Sequence, residues 1–305
     1  MENVVYETEK QALFKMRLRK TYTYSMLVLF GLFILLPFYW MVLTSLKTSI
    51  QATTAPPDLW IRFADMQFVN YRIALFGDDF FVAQPYLTFM VNTVVVAAIS
   101  TVGTVITTVL SAFAFARLNF KFKEVFFLML IMTMMIPGEM FVITNYITVF
   151  RLGWLGSGAG TQTYVQALMA MSIPFMTSIF YIFFLRQTFK TIPDELYYAA
   201  KVDGTNDFKY LWKVMIPIAK PTIITITILN AMGTWNAFIW PNLVAREPEY
   251  FLVSNGLRNA YANNVGIEYQ LQMASALIVT FPILVVFFLL KKHIMRGVSR
   301  SGIKG

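Results

Sequence analysis

The chain has 305 residues, of which 57% are hydrophobic and only 13% charged. Soluble domains carry about a quarter charged residues, so an ordinary soluble surface is excluded. The absence of cysteine excludes disulfides, thiolate metal sites and cysteine nucleophiles, and the net charge of +9 raises nucleic-acid binding, which the placement of the charges argues against.

In chain order, residues 1–24 are mostly polar, and no small-residue cleavage site follows the first apolar stretch. They read as a cytoplasmic tail rather than a cleaved signal. Charge-free runs follow at Met26–Leu43, Tyr86–Ala116, Leu152–Leu185, Pro221–Ala245 and Tyr269–Leu290, and Val125–Phe150 is interrupted only by Glu139. Crossing roughly 30 Å of hydrocarbon takes about 20 helical residues. The runs therefore predict an all-α, polytopic membrane protein with six transmembrane helices. The spans fall at about 25–45, 87–114, 124–150, 163–185, 221–243 and 270–290, within a membrane domain covering 25–290.

The connections alternate in character. Thr44–Pro85, with Pro56-Pro57, Trp60 and Asp78-Asp79, reads as an ordered outer loop, and Gly153–Gly160 as a short turn-rich one. Residues 186–220 form the long inner loop, Val244–Glu268 is a second outer loop, and 291–305 form a C-terminal tail. Nineteen of the 25 Lys and Arg fall on the side that holds both tails and the 186–220 loop, and six on the other. That bias is the positive-inside signature. It places both termini in the cytoplasm and makes the basic excess an orientation signal, with membrane lipid and not nucleic acid as the surrounding partner.

Pro37, Pro137, Pro174 and Pro282 fall inside spans. A proline there frees a backbone carbonyl, tolerated where neighbouring helices or cavity water satisfy it. No phosphate-binding G-x-x-x-x-G-K-[ST] is present. The single histidine, His293, lies in the basic tail and reads as solvated, which argues against a Ser-His hydrolase or a histidine metal site. Glu139 is the one ionisable residue well inside a span. It reads either as a functional intramembrane carboxylate or as the cap of a segment broken at Pro137-Gly138. Trp235, Asn236, Trp240 and Asn242 sit in the outer half of the fifth span. Aromatic faces beside amides suit sugar recognition, and Trp at that depth also suits a membrane anchor.

The inner loop contains a short polar helix. Thr191-Ile-Pro-Asp194 offers a threonine cap, a proline for the first turn and acids at the positive end of the helix dipole, and Gly204 offers a stop. Leu196, Ala199, Ala200 and Asp203 share one face by helical spacing, and the two alanines leave it shallow. Thr205-Asn206-Asp207 opens a further segment expected to end at Ile216-Pro217. A helix this small has little core of its own, so its apolar face calls for a partner.

Tyr198-Ala199-Ala200, three residues, Gly204, nine residues and Val214-Met215-Ile216-Pro217 resemble the EAA-x3-G-x9-I-x-L-P signature of ATP-binding-cassette importer permeases. Asn92-Thr93, AFAFARLNF at 112–120, Ile136-Pro137, WNAFIWP at 235–241 and the ending RGVSRSGIKG are similar to the maltose-type sugar permeases among them. Tyr198 stands where the signature has glutamate, and Glu195, one turn earlier, is the candidate to supply that charge. The resemblance implies a MetI/MalG-like permease fold and a carbohydrate importer working by alternating access in a bacterial cell membrane. It also implies a second permease subunit, two cytosolic ATPase subunits that bind ATP and Mg²⁺, and an extracytoplasmic sugar-binding protein. This chain would then hold no cofactor and no catalytic residue. Glu195, Tyr198, Ala199, Ala200, Asp203 and Gly204 would couple it to the ATPase, with Trp235, Asn236, Trp240 and Glu139 as candidates for the substrate pathway. An ion-coupled secondary carrier is the alternative that six spans and Glu139 leave open, and a membrane-embedded enzyme is a third.

Overall fold

A computed structural model describes residues 2–77, 86–158, 160–259 and 268–299. Asp78-Asp79 and the last six residues of the C-terminal ending lie outside the described residues. The described residues contain helices and no strand. Two compact units are distinguished: Met1–Arg72 with Glu268–Leu277, and Ile73–Ile267 with Ile278–Gly305.

In the first unit, α1 runs from Glu2 to Ser45 and contains Pro37. Leu27, Leu29, Phe33 and Leu36 are all exposed, as expected of a helix whose solvent is lipid. A short helix α2, Ser49–Thr53, opens on a capping box between Thr48 and Gln51, and α3 follows at Val69–Phe76. The outer loop is tied back to the end of α1. Asn70 donates to the carbonyls of Ser45 (2.8 Å) and Lys47 (2.9 Å), and the buried Lys47 ammonium donates to Asp58 O at 2.7 Å. Lys47 also lies over the Trp40 ring, 4.9 Å from its centre.

The second unit is built on α4, Tyr86–Arg117. The third span is a bent pair, α5 (Lys123–Thr133) and α6 (Phe141–Arg151), meeting at 84° around a 3-10 turn at Gly138–Met140. The fourth is also bent, α7 (Tyr164–Ser172) and α8 (Ile179–Lys190) meeting at 52° around Ile173–Phe175. The inner loop carries α9 (Asp194–Val202) and α10 (Asp207–Tyr210). A π-turn at Leu211–Met215 leads directly into α11, Ile216–Trp235, and α12 (Ile239–Val244), α13 (Val253–Asn259) and α14 (Tyr269–Ser299) complete the chain. Among the described residues four helices are long and apolar enough to cross a membrane by themselves, and the total is six when each bent pair counts as one span.

The third and fourth spans bend at Pro137 and Pro174, where a proline inside the span interrupts the backbone ladder. Two expectations change. The fifth helix begins at Asp207, well before residue 221, and passes through Ile216-Pro217 without stopping. The wide π-turn lies immediately before Pro217, where the ladder must change to accommodate a residue that has no N–H to donate. Its outer end stops at Trp235, and α12 is a separate short helix.

α4 packs against both α8 and α11. One core joins Val109, Ala112 and Phe113 of α4 to Leu185 and Phe189 of α8, and to Tyr210, Leu211 and Met215 leading into α11. A second lies under the outer loops around Val96, Leu155, Met171, Trp240 and Leu252. Gly256 lets α13 approach α4 closely, because a Cβ there would fall 2.4 Å from the Phe89 ring. Asn92 and Thr93 hold the outer loop onto α4. The Asn92 amide donates to Glu249 O (2.8 Å) and Phe251 O (3.1 Å), and the Thr93 hydroxyl accepts from Val253 N (3.0 Å).

Asn92→Asp keeps the shape but replaces the donor by a carboxylate facing two carbonyls. Leaving such groups unpaired costs about 1–3 kcal/mol. Thermal unfolding in detergent should show Asn92→Asp melting well below wild type and at or below Asn92→Ala; an unchanged midpoint for both would remove these bonds from the account.

Candidate functional site

The 186–220 loop carries ten charged residues among its 35. α9 begins after Pro193 (φ −57°, ψ 140°), with Asp194 and Glu195 in its first turn. Thr191 is not its cap. It ends α8, and its hydroxyl donates to Thr188 O at 2.8 Å. The chain cannot continue α8 through Pro193, so the threonine serves the helix before the proline and the acids serve the helix after it.

The C-terminal end of α9 is a Schellman motif. Gly204 N donates to Lys201 O (3.0 Å) and Thr205 N to Ala200 O (2.8 Å), with Gly204 at φ +70°. No atom lies within 4 Å of where a Gly204 Cβ would be, so glycine is required there by its backbone angle and not by space. Asn206 then caps α10, accepting from Lys209 N at 2.8 Å.

The two faces of α9 differ. Tyr197 and Ala200 turn inward onto the core, and the Tyr197 ring meets Tyr210 edge-on at 5.1 Å. Glu195, Leu196, Tyr198, Ala199, Val202 and Asp203 are exposed, Val202 at 88%. The shallow face is thus Ala199 with its neighbours, and Ala200 faces the chain's own core instead. Positions three apart share a face, and Tyr197 with Ala200 is the pair the core takes.

Polar contacts hold the loop in place. Asp207 accepts from Tyr197 Oη (2.8 Å) and pairs with Lys201 (2.7 Å). The hydrogen bond to Asp207 holds the Lys201 ammonium above the ordinary lysine range. Its folded value exceeds the unfolded one, so the lysine's contribution is present at neutral pH and is lost as pH rises through that raised value. Burial, then the bond to Asp207, pushes the Tyr197 phenol up. Arg117, at the end of α4, pairs with Asp194 and donates to the carbonyls of Phe189 and Ile192. Arg186 of α8 donates to Phe115 O (3.0 Å) and to both oxygens of Glu124 (2.8 Å), with its guanidinium 3.8 Å above the Phe127 ring. Nothing in the sequence pattern singled out these two arginines for contacts.

The candidate pathway residues are dispersed. Trp240 is 7% exposed, its indole N–H donates to Ala170 O at 3.0 Å, and its ring meets Phe175 edge-on. It is a core residue and offers no face to a passing solute. Trp235 is half-buried and borders a cavity of about 260 Å³ with Val94, Ile228, Met232, Pro282 and Val286. That lining is apolar and offers sugar hydroxyls little to bond. Asn236 ends α11, its amide bonded to Met232 O. Glu139 lies exposed in the 3-10 turn at the 84° bend, and no ion pair involves it among the described residues. The four residues do not form one site.

Residues 107–300 match the family described as binding-protein-dependent transport system inner membrane component. The chain belongs to this family. The permease is similar to the arabinooligosaccharides transport system permease protein AraQ of Bacillus subtilis, 27% identical over 95% of this chain and 96% of the relative. It is also similar to the sn-glycerol-3-phosphate transport system permease protein UgpE of Brucella suis, 28% identical over 90% and 94%. Its fold matches a solved bacterial ABC transporter involved in the import of the acidic polysaccharide alginate. There the TM-score is 0.75 at 24% identity, covering 90% of this chain and 96% of that one. The protein is a multi-pass membrane component of a binding-protein-dependent transport system, a transport permease and not an enzyme. Nothing in the comparisons supports an ion-coupled carrier.

Two substitution series probe these assignments. At Gly204, impairment should run Val worst, then Ala, with Asn mildest, because left-handed φ penalises a β-branched residue most and asparagine least. Limited proteolysis of the 191–206 loop in the purified permease would show the order, and equal resistance in all three would contradict it. Trp240→Ala should lower thermal stability by about 3–5 kcal/mol, as large core truncations do; Trp240→Phe should fall between it and wild type. A Trp240→Ala permease of native stability that fails only in transport would return this residue to the pathway.

Proposed function

We propose that the permease is one of two membrane subunits of an ATP-driven importer for a di- or oligosaccharide or a related sugar. It works by alternating access with a second permease, two cytosolic ATPase subunits and an extracytoplasmic sugar-binding protein. ATP and Mg²⁺ belong to the ATPase, and this chain holds no cofactor. The relatives named above transport arabinooligosaccharides, sn-glycerol-3-phosphate or alginate, which supports a polyhydroxylated substrate. The distribution of Lys and Arg supports cytoplasmic termini and a cytoplasmic 186–220 loop in a bacterial cell membrane.

The observation that carries the coupling assignment is the exposed face of α9. Leu196, Tyr198, Ala199 and Val202 are exposed on a helix whose other face is anchored to the core, in the most polar loop of the chain. An apolar face on a rigidly held, lipid-excluded helix is suited to a protein partner. Ala199 gives it the close approach that a fitted cleft requires. Glu195, Tyr198, Asp203 and Gly204 frame the surface, while Ala200 supports it from within. Tyr198 supplies an aromatic contact where the family signature has glutamate, with the exposed Glu195 nearby to provide the charge.

Cysteine substitution at Ala199 tests both sidedness and contact in this cysteine-free chain. The thiol should resist membrane-impermeant reagents in intact cells and should cross-link to the ATPase in the assembled importer. Ala199→Trp overfills the contact, which costs roughly 1–3 kcal/mol where packing is fitted. It should strip the ATPase during purification without affecting membrane insertion. Labelling from outside, or full ATPase retention by Ala199→Trp, would refute the assignment.

A further inference from the structure

Two buried arginines are exchanged between the ends of α4 and α8. Arg117, last residue of α4, donates to Phe189 O near the end of α8 and to Ile192 O just beyond it. Arg186, in the last turns of α8, donates to Phe115 O near the end of α4. Their side chains are 6% and 4% exposed. A helix C-terminus leaves carbonyls without partners and carries the negative end of its dipole, so each arginine neutralises the other helix's end. Each also reaches an acid in the first turn of the next helix: Arg117 reaches Asp194 of α9, and Arg186 reaches Glu124 of α5. The two clamps differ in what they hold. Arg186 joins the membrane helices α4, α8 and α5, whereas of the two arginines it is Arg117 that reaches the exposed polar helix α9.

We propose that Arg117 is a positioning residue for the proposed coupling helix: it fixes α9 to the cytoplasmic ends of α4 and α8, so that displacement of α9 is delivered to α4. This rests on the coupling role proposed for α9. Three features support it. First, Arg117 makes the polar contacts shown between α9 and the ends of α4 and α8 among the described residues; the Asp207 contacts with Tyr197 and Lys201 hold α9 to the start of the fifth helix, on its other side. Second, Arg117 spans the α8–α9 junction, where Pro193 interrupts the backbone ladder and would otherwise leave a hinge. Third, a planar guanidinium can serve the Asp194 carboxylate and two carbonyls at once, which an ammonium on a flexible stem cannot do with the same geometry. The sequence AFAFARLNF drew attention through its resemblance alone; the fold gives its arginine a task.

The test uses the assembled importer in lipid nanodiscs, measuring basal ATP hydrolysis and its stimulation by the sugar-loaded binding protein. Arg117→Lys should retain the ATPase and basal hydrolysis while the stimulated-to-basal ratio falls roughly tenfold, the equivalent of losing one charge-assisted hydrogen bond. Asp194→Asn should give a smaller fall in that ratio, and Asp194→Glu should restore most of it. Arg186→Lys, equally buried but without contact to α9, should lower the thermal midpoint and leave the ratio near wild type. Equal losses of ratio in the two arginine variants would make the clasp a general stability feature and overturn the proposal, as would wild-type ratios in Arg117→Lys and Asp194→Asn together. An ATPase that fails to associate with, or respond through, the wild-type permease would instead refute the coupling role of α9 itself.

Discussion

Backbone carbonyls freed where helices end or bend must find donors, and in this permease buried side chains supply them. Hydrocarbon offers no hydrogen bonds, so an unpaired carbonyl there costs far more than at a wet surface. Asn92, Gln162, Trp240, Arg117 and Arg186 each direct a donor at backbone oxygens of another segment. Gln162 shows the principle most fully. Its amide N–H group serves both Trp154 O and Val244 O, and its oxygen accepts from Arg246 N. One side chain thereby joins the turn after α6, the start of α7 and the end of α12.

The bend of the fourth span uses such donors: Trp240 serves Ala170 O, and the hydroxyls of Thr104 and Thr107 serve Phe175 O and Met176 O. A straight helix satisfies its own backbone, but the bends of 84° and 52° interrupt the ladder once in each of the third and fourth spans. α4 contacts both α8 and α11. Asn92, Thr93 and the close approach at Gly256 secure the segment after α12 onto it. At the inner end the same need is met by charged donors, because the carbonyls there are the negative ends of two helices. A single physical requirement thus takes amide form at one end of α4 and guanidinium form at the other.

Charge and apolar surface divide the molecule's contacts between lipid and protein. α1 exposes leucines and phenylalanines over most of its length, which suits a lipid-facing or partner-facing helix. The face of α9 is different in kind. It is small, bordered by Glu195 and Asp203, and rigidly presented by the Schellman turn and the core behind Tyr197 and Ala200. Under the coupling role proposed for α9, rigid presentation would matter, since a helix free to hinge at Pro193 would absorb a push instead of relaying it.

The sequence by itself determined the all-α membrane architecture, an expectation of six crossings, the charge asymmetry and the position of the polar inner helix. These depend on hydropathy over long windows, on counts of Lys and Arg, and on local signals such as Gly204, all of which are written along the chain. It also carried the family signature, including the Tyr198 departure. Only the tertiary structure decided that Ala200 faces inward, that the fifth helix starts at Asp207, and that Trp240 is a core residue whose N–H is committed to Ala170. It alone paired Arg117 with α9 and Arg186 with α5. The pairings among them join residues 62 to 77 positions apart, and periodicity fixes a residue's face on its own helix without fixing what that face will touch.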